Sequence, residues 1–455
     1  MLAGAIAPSP MMPSVPPPLP PVRMEKTVIL RLMGSDATSG QLMRRLAAGY
    51  LASIGDADVS LASGRDGQAE EVFGLQDGRR EAISIKFQQP GGAFAELLHG
   101  TTDAVLATRR ILPAEAELLS SFADMTSPAS EAVVGVQGVA AIVGRASSMS
   151  SLTLAQLRSI LDGRLTDWSQ VEGPSETINV YVVDDKEGTR EVPQDIVLQP
   201  DQVSARVIRV ADEQRLADAV AADKSGIGLA TFGSTGAAKV LAISVDGADA
   251  VKPSESSIST EAYPLSRPIY LYSNPASSNP FPKRFASYMA SPGGQSVVDV
   301  AGLVPFAIRA EPAVVPSTAP AQFKQLVAGA ARLSVTFRFQ PDSVALDGRA
   351  VHDVALLAAH LKSQRIDPGR VVLAGFADNA GDAAAGKAVS QRRMGSVVAA
   401  LAKAGVMLSR TATFGGDLPV ADNATADGRE RNRRVEVYLA PQPGKLPAVA
   451  SRTPP

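Results

Sequence analysis

"GFADNAGDAAAGKAVSQRRMGSVVAALAKAGV", Gly375 to Val406, joins an apolar run to an amphipathic helix through a turn of small residues. The run it ends, "RVVLAGFA", reads as a buried strand and delivers Asp378 at its carboxyl end, where α/β layouts leave a crevice. At about 100° per residue, Met394, Val397, Val398 and Leu401 share one face of the helix, which is its core stripe. On the same wheel Arg393 lies roughly 90° from the stripe's centre and Arg392 about 170°. Arg392 therefore faces water, whereas Arg393 lays its stem along the core edge and aims its guanidinium at the turn. Asp378 and Arg393 would offer an acceptor for an ammonium and a forked donor for a carboxylate, the two ends of an amino-acid head group. Taken alone, the same residues also fit a turn-stabilising acid and a solvated helix-start charge.

Around this stretch the pattern is strand "RLSVTFRF", helix "GRAVHDVALLAAHLKSQ", then the strand and helix above, then strands "RTATFG" and "RRVEVYLA". That order predicts a compact α+β domain over residues 331–440. Upstream, residues 25–309 alternate strand-like and helix-like segments, such as "TVILRLMG" before "SGQLMRRLAAGYLASIG", which predicts an α/β module with a mostly parallel sheet. Proline-rich stretches suggest a leader over 1–24, a linker over 310–330 and a tail over 441–455.

The 455 residues exceed one ordinary core, and 45% hydrophobic with 20% charged residues is a globular balance. A net charge of -2 supplies no field for a phosphate backbone, so nucleic acid is not an expected partner. The absence of cysteine excludes disulfides, thiolate metal sites and a lipid-modified cysteine. No stretch reaches the roughly 18 apolar residues of a membrane span, and the start of the chain lacks the basic-then-apolar order of a secretory signal. His352 and His360 fall about 80° apart on a helix with no carboxylate cluster at ligand spacing, so no metal site is expected. No nucleophile elbow, P-loop or dinucleotide loop is present either. The expectation is a binding protein rather than an enzyme, without a cofactor.

"FRFQPDSVALD" at Phe337, "GFADNAG" at Gly375, "SQRR" at Ser390 and "DLPVADNATADGRERNRRVEVYL" at Asp417 together resemble the OmpA-like peptidoglycan-binding domain. The resemblance implies that Asp378 and Arg393 bind the diaminopimelate of the peptidoglycan stem peptide, with a secondary role for Asn432 and Arg433. Where that family has His-Thr before the Asp and a Tyr-Asn or similar pair ahead of the helix, this chain has Phe376, Ala377 and Ala385, Gly386. Arg434 enters an alternating strand and fits a structural fork equally well.

The upstream stretches "GSDATSGQLMRRLAAGYLA" at Gly34, "GTTDAVLATRRILPAE" at Gly100, "SLTLAQLRSILDGRLTDWSQV" at Ser151, "DDKEGTREV" at Asp184 and "TEAYPLSRPIYLY" at Thr260 resemble the PstS-like substrate-binding proteins of phosphate ABC transporters. That implies two α/β lobes of the periplasmic-binding-protein type II fold with a ligand between them. Strand ends followed by helix starts gather free N–H groups and hydroxyls on an oxyanion, at Ser35, Thr38, Thr108, Arg109, Gly188 and Thr189. Each of these also fits a simple helix cap. Glu187 stands where the family places a serine, and an ionised carboxylate accepts only and repels phosphate. Two readings follow. In one, an envelope protein in the periplasm, associated with peptidoglycan and the outer membrane, carries a domain for phosphate or another small oxyanion and works with an ABC transporter. In the other, the upstream module is an interaction scaffold whose phosphate site is lost.

Overall fold

The computed structural model describes residues 26–34, 38–63, 69–88, 90–184, 196–197, 204, 206–245, 248–378, 383–408 and 410–442. The proposed leader and nearly all of the proposed tail lie outside them. Among the described residues no helix is long and apolar enough to cross a membrane.

The upstream module is built on one eleven-stranded sheet. Its order is Ala57–Ser63, Glu70–Gln76, Arg79–Phe87, Lys26–Gly34, Ala104–Ala107, Ser266–Ser273, Glu131–Val143, Gly226–Thr231, Asn179–Val183 and Ile208–Val210, with Lys239–Val240 also on Glu131–Val143. Parallel ladders join Lys26–Gly34 to both its neighbours and Asn179–Val183 to both of its own. The two central strands, Ser266–Ser273 and Glu131–Val143, pair antiparallel with each other and with their flanking strands. The sheet is therefore mixed rather than mostly parallel. Strand-by-strand periodicity carries no information about direction when the chain crosses between lobes.

Those central strands divide the module into two lobes. Val134, Ile269 and Leu271 pack in one core with Leu46, Tyr50 and Phe285, while Val136, Leu265 and Val139 pack in another with Leu157, Trp168 and Tyr263. The boundary falls at Gly135, where the register slips between Ile269 and Tyr270. A bulge bends the strand that carries it, and this crossing point between the lobes is termed the hinge. Helices such as Thr38–Ile54 and Leu154–Leu161 cover the lobes, and among the described residues the sheet runs from one lobe to the other through these two central strands.

The downstream module has a five-stranded sheet in the order Ala310–Pro312, Ala331–Arg338, Arg434–Leu439, Val371–Phe376 and Arg410–Gly415. Helices Gly348–Ser363 and Ala383–Lys403 cover one face through Val354, Leu357, Met394, Val397 and Leu401. The stretch 310–330, read from its prolines as a linker, is folded into this module. Ala310–Pro312 pairs antiparallel with Ala331–Leu333, and helix Ala321–Leu326 sets Phe323 against Phe376, Phe414 and Tyr438 at 6.0, 5.3 and 6.1 Å. The prolines are compatible with order because of where they fall: Pro312 closes an edge strand and Pro320 caps a helix, two positions that need no N–H donor.

Within the downstream sheet, Glu436 is buried between Arg332 at 3.0 Å, Arg434 at 2.8 Å and the hydroxyl of Tyr438 at 2.5 Å. Burial alone would raise its carboxyl, but the two guanidinium groups and the hydroxyl outweigh that and hold it at about 2 instead of 4.5. A folded-state value below the unfolded one stabilises at pH above about 4.5, and this contribution is lost as pH falls from 4.5 towards 2. Glu436→Gln should cost about 3–5 kcal/mol at pH 7, because the buried Arg434 and the partly buried Arg332 lose their counter-charge. Urea melts at pH 7 and pH 3 test this: the gap between wild type and variant should narrow at the lower pH.

Candidate functional site

All six residues of Val371–Phe376 are buried, and the strand lies between Arg434–Leu439 and Arg410–Gly415, so the chain leaves the sheet with Asp378 at its rim. Asp378 is partly exposed and accepts from Arg433 Nη1 at 2.8 Å. Arg433 is itself positioned by a donation from its Nε to Phe339 O at 3.1 Å. The direct partner of Asp378 is thus Arg433, not Arg393.

The helix begins at Ala383, so "AAAG" is helix rather than part of the turn of small residues. Alanine's high helix propensity accounts for the extension. Arg393 is consequently in mid-helix and only 2% exposed, deeper than the core-edge position the wheel gave it, while Arg392 is exposed as expected. Its Nε donates to Ser343 O at 3.0 Å and its Nη2 to Gln340 O at 3.3 Å, with the guanidinium 5.4 Å from the Phe339 ring centre. Burial and then the charge of Arg433 push its pKa down to about 10, with Asp378 and Asp342 opposing, so it remains a cation at neutral pH. Arg393 Nη1 is buried and has no hydrogen-bond partner among the described residues. Asp378 spends one carboxylate oxygen on Arg433, which leaves an acceptor and an unspent donor in one charge cluster.

Asn432 does something different from what the resemblance implies. It is fully buried; its Oδ1 accepts from Val420 N and Ala421 N at 2.8 and 3.1 Å, and its Nδ2 donates to Ala421 O and Asn423 Oδ1 at 2.7 and 3.0 Å. Two donors and two lone pairs are all an amide side chain has, so none remains for a ligand. Arg429 is likewise engaged on Asn423 O and Ala424 O, and Arg434 lies 4.0 Å from the Phe376 ring centre as the structural fork the strand pattern allowed.

The upstream anion residues are only partly visible. Ser35, Glu187, Gly188 and Thr189 lie outside the described residues, and of Thr38 only its place at the head of a helix is described. Thr108 is buried just beyond Ala104–Ala107. Arg109 makes a bidentate ion pair with Glu115 at 2.8 and 2.7 Å, which occupies the fork an oxyanion would use.

Sequence reasoning missed a second charged cluster, the contact between the two modules. Arg110 pairs with Glu131 at 2.7 Å, Asp347 at 2.9 Å and Glu430 at 3.4 Å, and Glu131 also accepts from the Tyr272 hydroxyl at 2.8 Å. Arg349 is paired with Glu261, and Arg338 stands 3.6 Å from the same carboxylate while donating to Thr260 O at 2.6 Å. Burial would raise the Glu261 carboxyl, yet Arg338, Arg349 and Arg431 hold it below the usual range. The available signal was a glutamate, Glu131, opening a strand whose next residues are nearly all apolar.

Residues 47–292, more than half of the chain, match the model of the PBP superfamily domain, and residues 338–433 match that of the OmpA family. The phosphate-binding protein PstS of Staphylococcus saprophyticus is 26% identical over 206 residues, which are 44% of this chain and 63% of that relative, less than two thirds of its length. Among solved structures, an ABC-type phosphate transport receptor from Vibrio cholerae covers 60% of this chain and 98% of its own at 19% identity and a TM-score of 0.45. The peptidoglycan-associated lipoprotein from Burkholderia pseudomallei covers 23% of this chain and 89% of its own at 24% identity and a TM-score of 0.21.

The saturated amide of Asn432 makes its removal a folding defect. Asn432→Ala leaves two backbone N–H groups and one carbonyl without partners and should cost about 2–4 kcal/mol. A chemical-denaturation series measures it; a change below about 0.5 kcal/mol would show that the loop 420–423 does not depend on this side chain.

Proposed function

The chain belongs to the PBP superfamily, with an OmpA-family domain at its C-terminal end, and from that premise we propose that it is a binding protein of the bacterial envelope that holds the cell wall through its downstream module. The observation that carries this is an acceptor and a donor left in one charge cluster: the second carboxylate oxygen of Asp378 at the rim of the sheet, and Arg393 Nη1, which has no hydrogen-bond partner among the described residues. A zwitterionic head group, as on the diaminopimelate of a peptidoglycan stem peptide, would place its ammonium on Asp378 and its carboxylate on Arg393. Charge-assisted hydrogen bonds in a partly desolvated cradle are the strong kind. Arg433 orients Asp378 through its hydrogen bond, which makes it a positioning residue for the ammonium contact.

For the upstream module the family's precedent is a small oxyanion held between lobes, with phosphate as the first candidate and an ABC transporter as the recipient. The engagement of Arg109 with Glu115, together with Glu187 in the expected phosphate segment, favours a second reading in which this module is an interaction scaffold with its phosphate site lost. With either reading of the upstream module, the proposed location is the periplasm, against peptidoglycan and the outer membrane.

Purified peptidoglycan sacculi test the first part. Wild-type chain should co-sediment with them and Asp378→Ala should lose at least about tenfold in affinity. Equal sedimentation would remove the wall-binding assignment. Titration calorimetry with phosphate separates the two readings of the upstream module: saturable heat supports solute capture, and none with phosphate, sulfate or arsenate leaves the scaffold.

A further inference from the structure

The downstream module is docked across the hinge of the upstream one. On the side of the first lobe, Asp347 and Glu430 reach Arg110, which follows the strand Ala104–Ala107. The start of helix Gly348–Ser363 is pressed so closely on residues 128–131 that a Cβ on Gly348 would collide with the carbonyl oxygen of Glu131. On the side of the second lobe, Ser259 Oγ lies 3.4 Å from Ser334 O, and Arg349 also donates to Ser259 O. His352 packs edge-on against Phe306, with ring centres 5.6 Å apart, and Leu356 packs on the second lobe's core. A rotation of the lobes about Gly135 would have to break one of these two sets of contacts.

The contact continues into the wall-binding cradle through the run 430–433. Glu430 faces Arg110, Arg431 donates to Glu261 O, Tyr263 O and Ser266 O at 3.3–3.4 Å, and Arg433 holds Asp378. A second strand end does the same from the other side. Arg338 donates to Thr260 O and to Arg431 O at 2.6 and 2.8 Å, while Phe339 and Gln340, the next two residues, accept from Arg433 and Arg393. Glu261, on which these arginines converge, has φ +53°, a left-handed backbone unusual for glutamate, so its placement is maintained by the contacts it makes.

We propose that the downstream module is a clamp on the hinge, which sets the angle between the lobes and couples that angle to the Asp378–Arg393 cradle. The clamp stands on the docking geometry alone; the coupling rests on the wall-binding function proposed above. It gives the fusion a purpose beyond tethering. Occupation of the cradle moves Arg433 and Arg393, whose backbone anchors, Phe339 and Gln340, adjoin the residue that grips Thr260.

Because the chain has no cysteine, Arg45→Cys on the first lobe and Arg158→Cys on the second, both exposed, can carry spin labels whose separation reports the lobe angle in the full chain. With the native clamp, pulsed dipolar spectroscopy should give one narrow distance distribution. Glu261→Gln, or Gly348→Ala as a steric wedge that leaves every charge in place, should broaden or shift it. The same two variants should weaken binding of the tripeptide L-alanyl-γ-D-glutamyl-meso-diaminopimelate about fivefold or more without altering the cradle's own residues. Coincident distributions in wild type and both variants would overturn the clamp; changed distances with unchanged tripeptide affinity would overturn the coupling. Asp378→Ala is the separate control: if it binds tripeptide as wild type does, the wall-binding reading fails, while the distances still judge the clamp.

Discussion

The largely buried carboxylate of Glu261, 12% exposed, is the constraint on which the arrangement of the whole chain depends. Removing a charge from water is costly unless counter-charges meet it, and the charges that meet this one, Arg338, Arg349 and Arg431, all come from the other module. Neither module presents a finished surface without the other. The ionic contacts need not supply net stability; buried ion pairs often break even against apolar replacements. They dictate register, because an arginine displaced by one position would leave a buried carboxylate unpaired. The favourable free energy of docking comes from the apolar contacts beside them, including Phe306 with His352 and Leu356 on the second lobe's core.

This constraint explains why the connection between modules is ordered. A flexible linker would suit two bodies that move independently, whereas two bodies sharing a buried ionic contact need only a short, fixed path. Residues 310–330 provide it by adding an edge strand to the downstream sheet and by filling that sheet's second face with Phe323. The same logic places the wall-binding candidates. Arg433 and Arg393 take their backbone anchors from the segment directly after Arg338, so a fixed interface gives a fixed cradle.

Much of this was legible in the sequence where local periodicity governs. The helical wheel separated Arg392 from Arg393 correctly, since side-chain direction on a helix follows from 3.6 residues per turn alone. The core stripe of Met394, Val397 and Leu401 was legible for the same reason, and so were four of the five strands of the downstream sheet within a residue or two. Pairing across the sheet was not. That Asp378 meets Arg433 rather than Arg393 depends on the antiparallel register between Val371–Phe376 and Arg434–Leu439, which no local pattern encodes. Proline content misled at 310–330 because it reports lost donors, not lost structure, and edge strands and helix caps do not need those donors. The inter-module charges were invisible for a further reason: Glu261 and Arg431 are 170 residues apart, and each taken alone looks like an ordinary surface charge.

The clamp has a consequence for how such a chain could serve a ligand between its lobes. A two-lobed receptor captures its solute by closing, and any solute must provide the differential free energy between open and closed lobes from its own contacts. Where a docked module already fixes the lobe angle, that difference is enlarged if the fixed angle is open and removed if it is closed. Linkage then works in both directions: whatever factor wall occupancy applies to solute affinity, solute must apply to wall affinity. An upstream module that has lost its oxyanion site would keep only half of this scheme, a hinge whose angle reports the cradle to whatever protein grips the lobes. The two readings of the upstream module therefore share one mechanical element, and they differ only in whether its other input is a small anion or a protein surface.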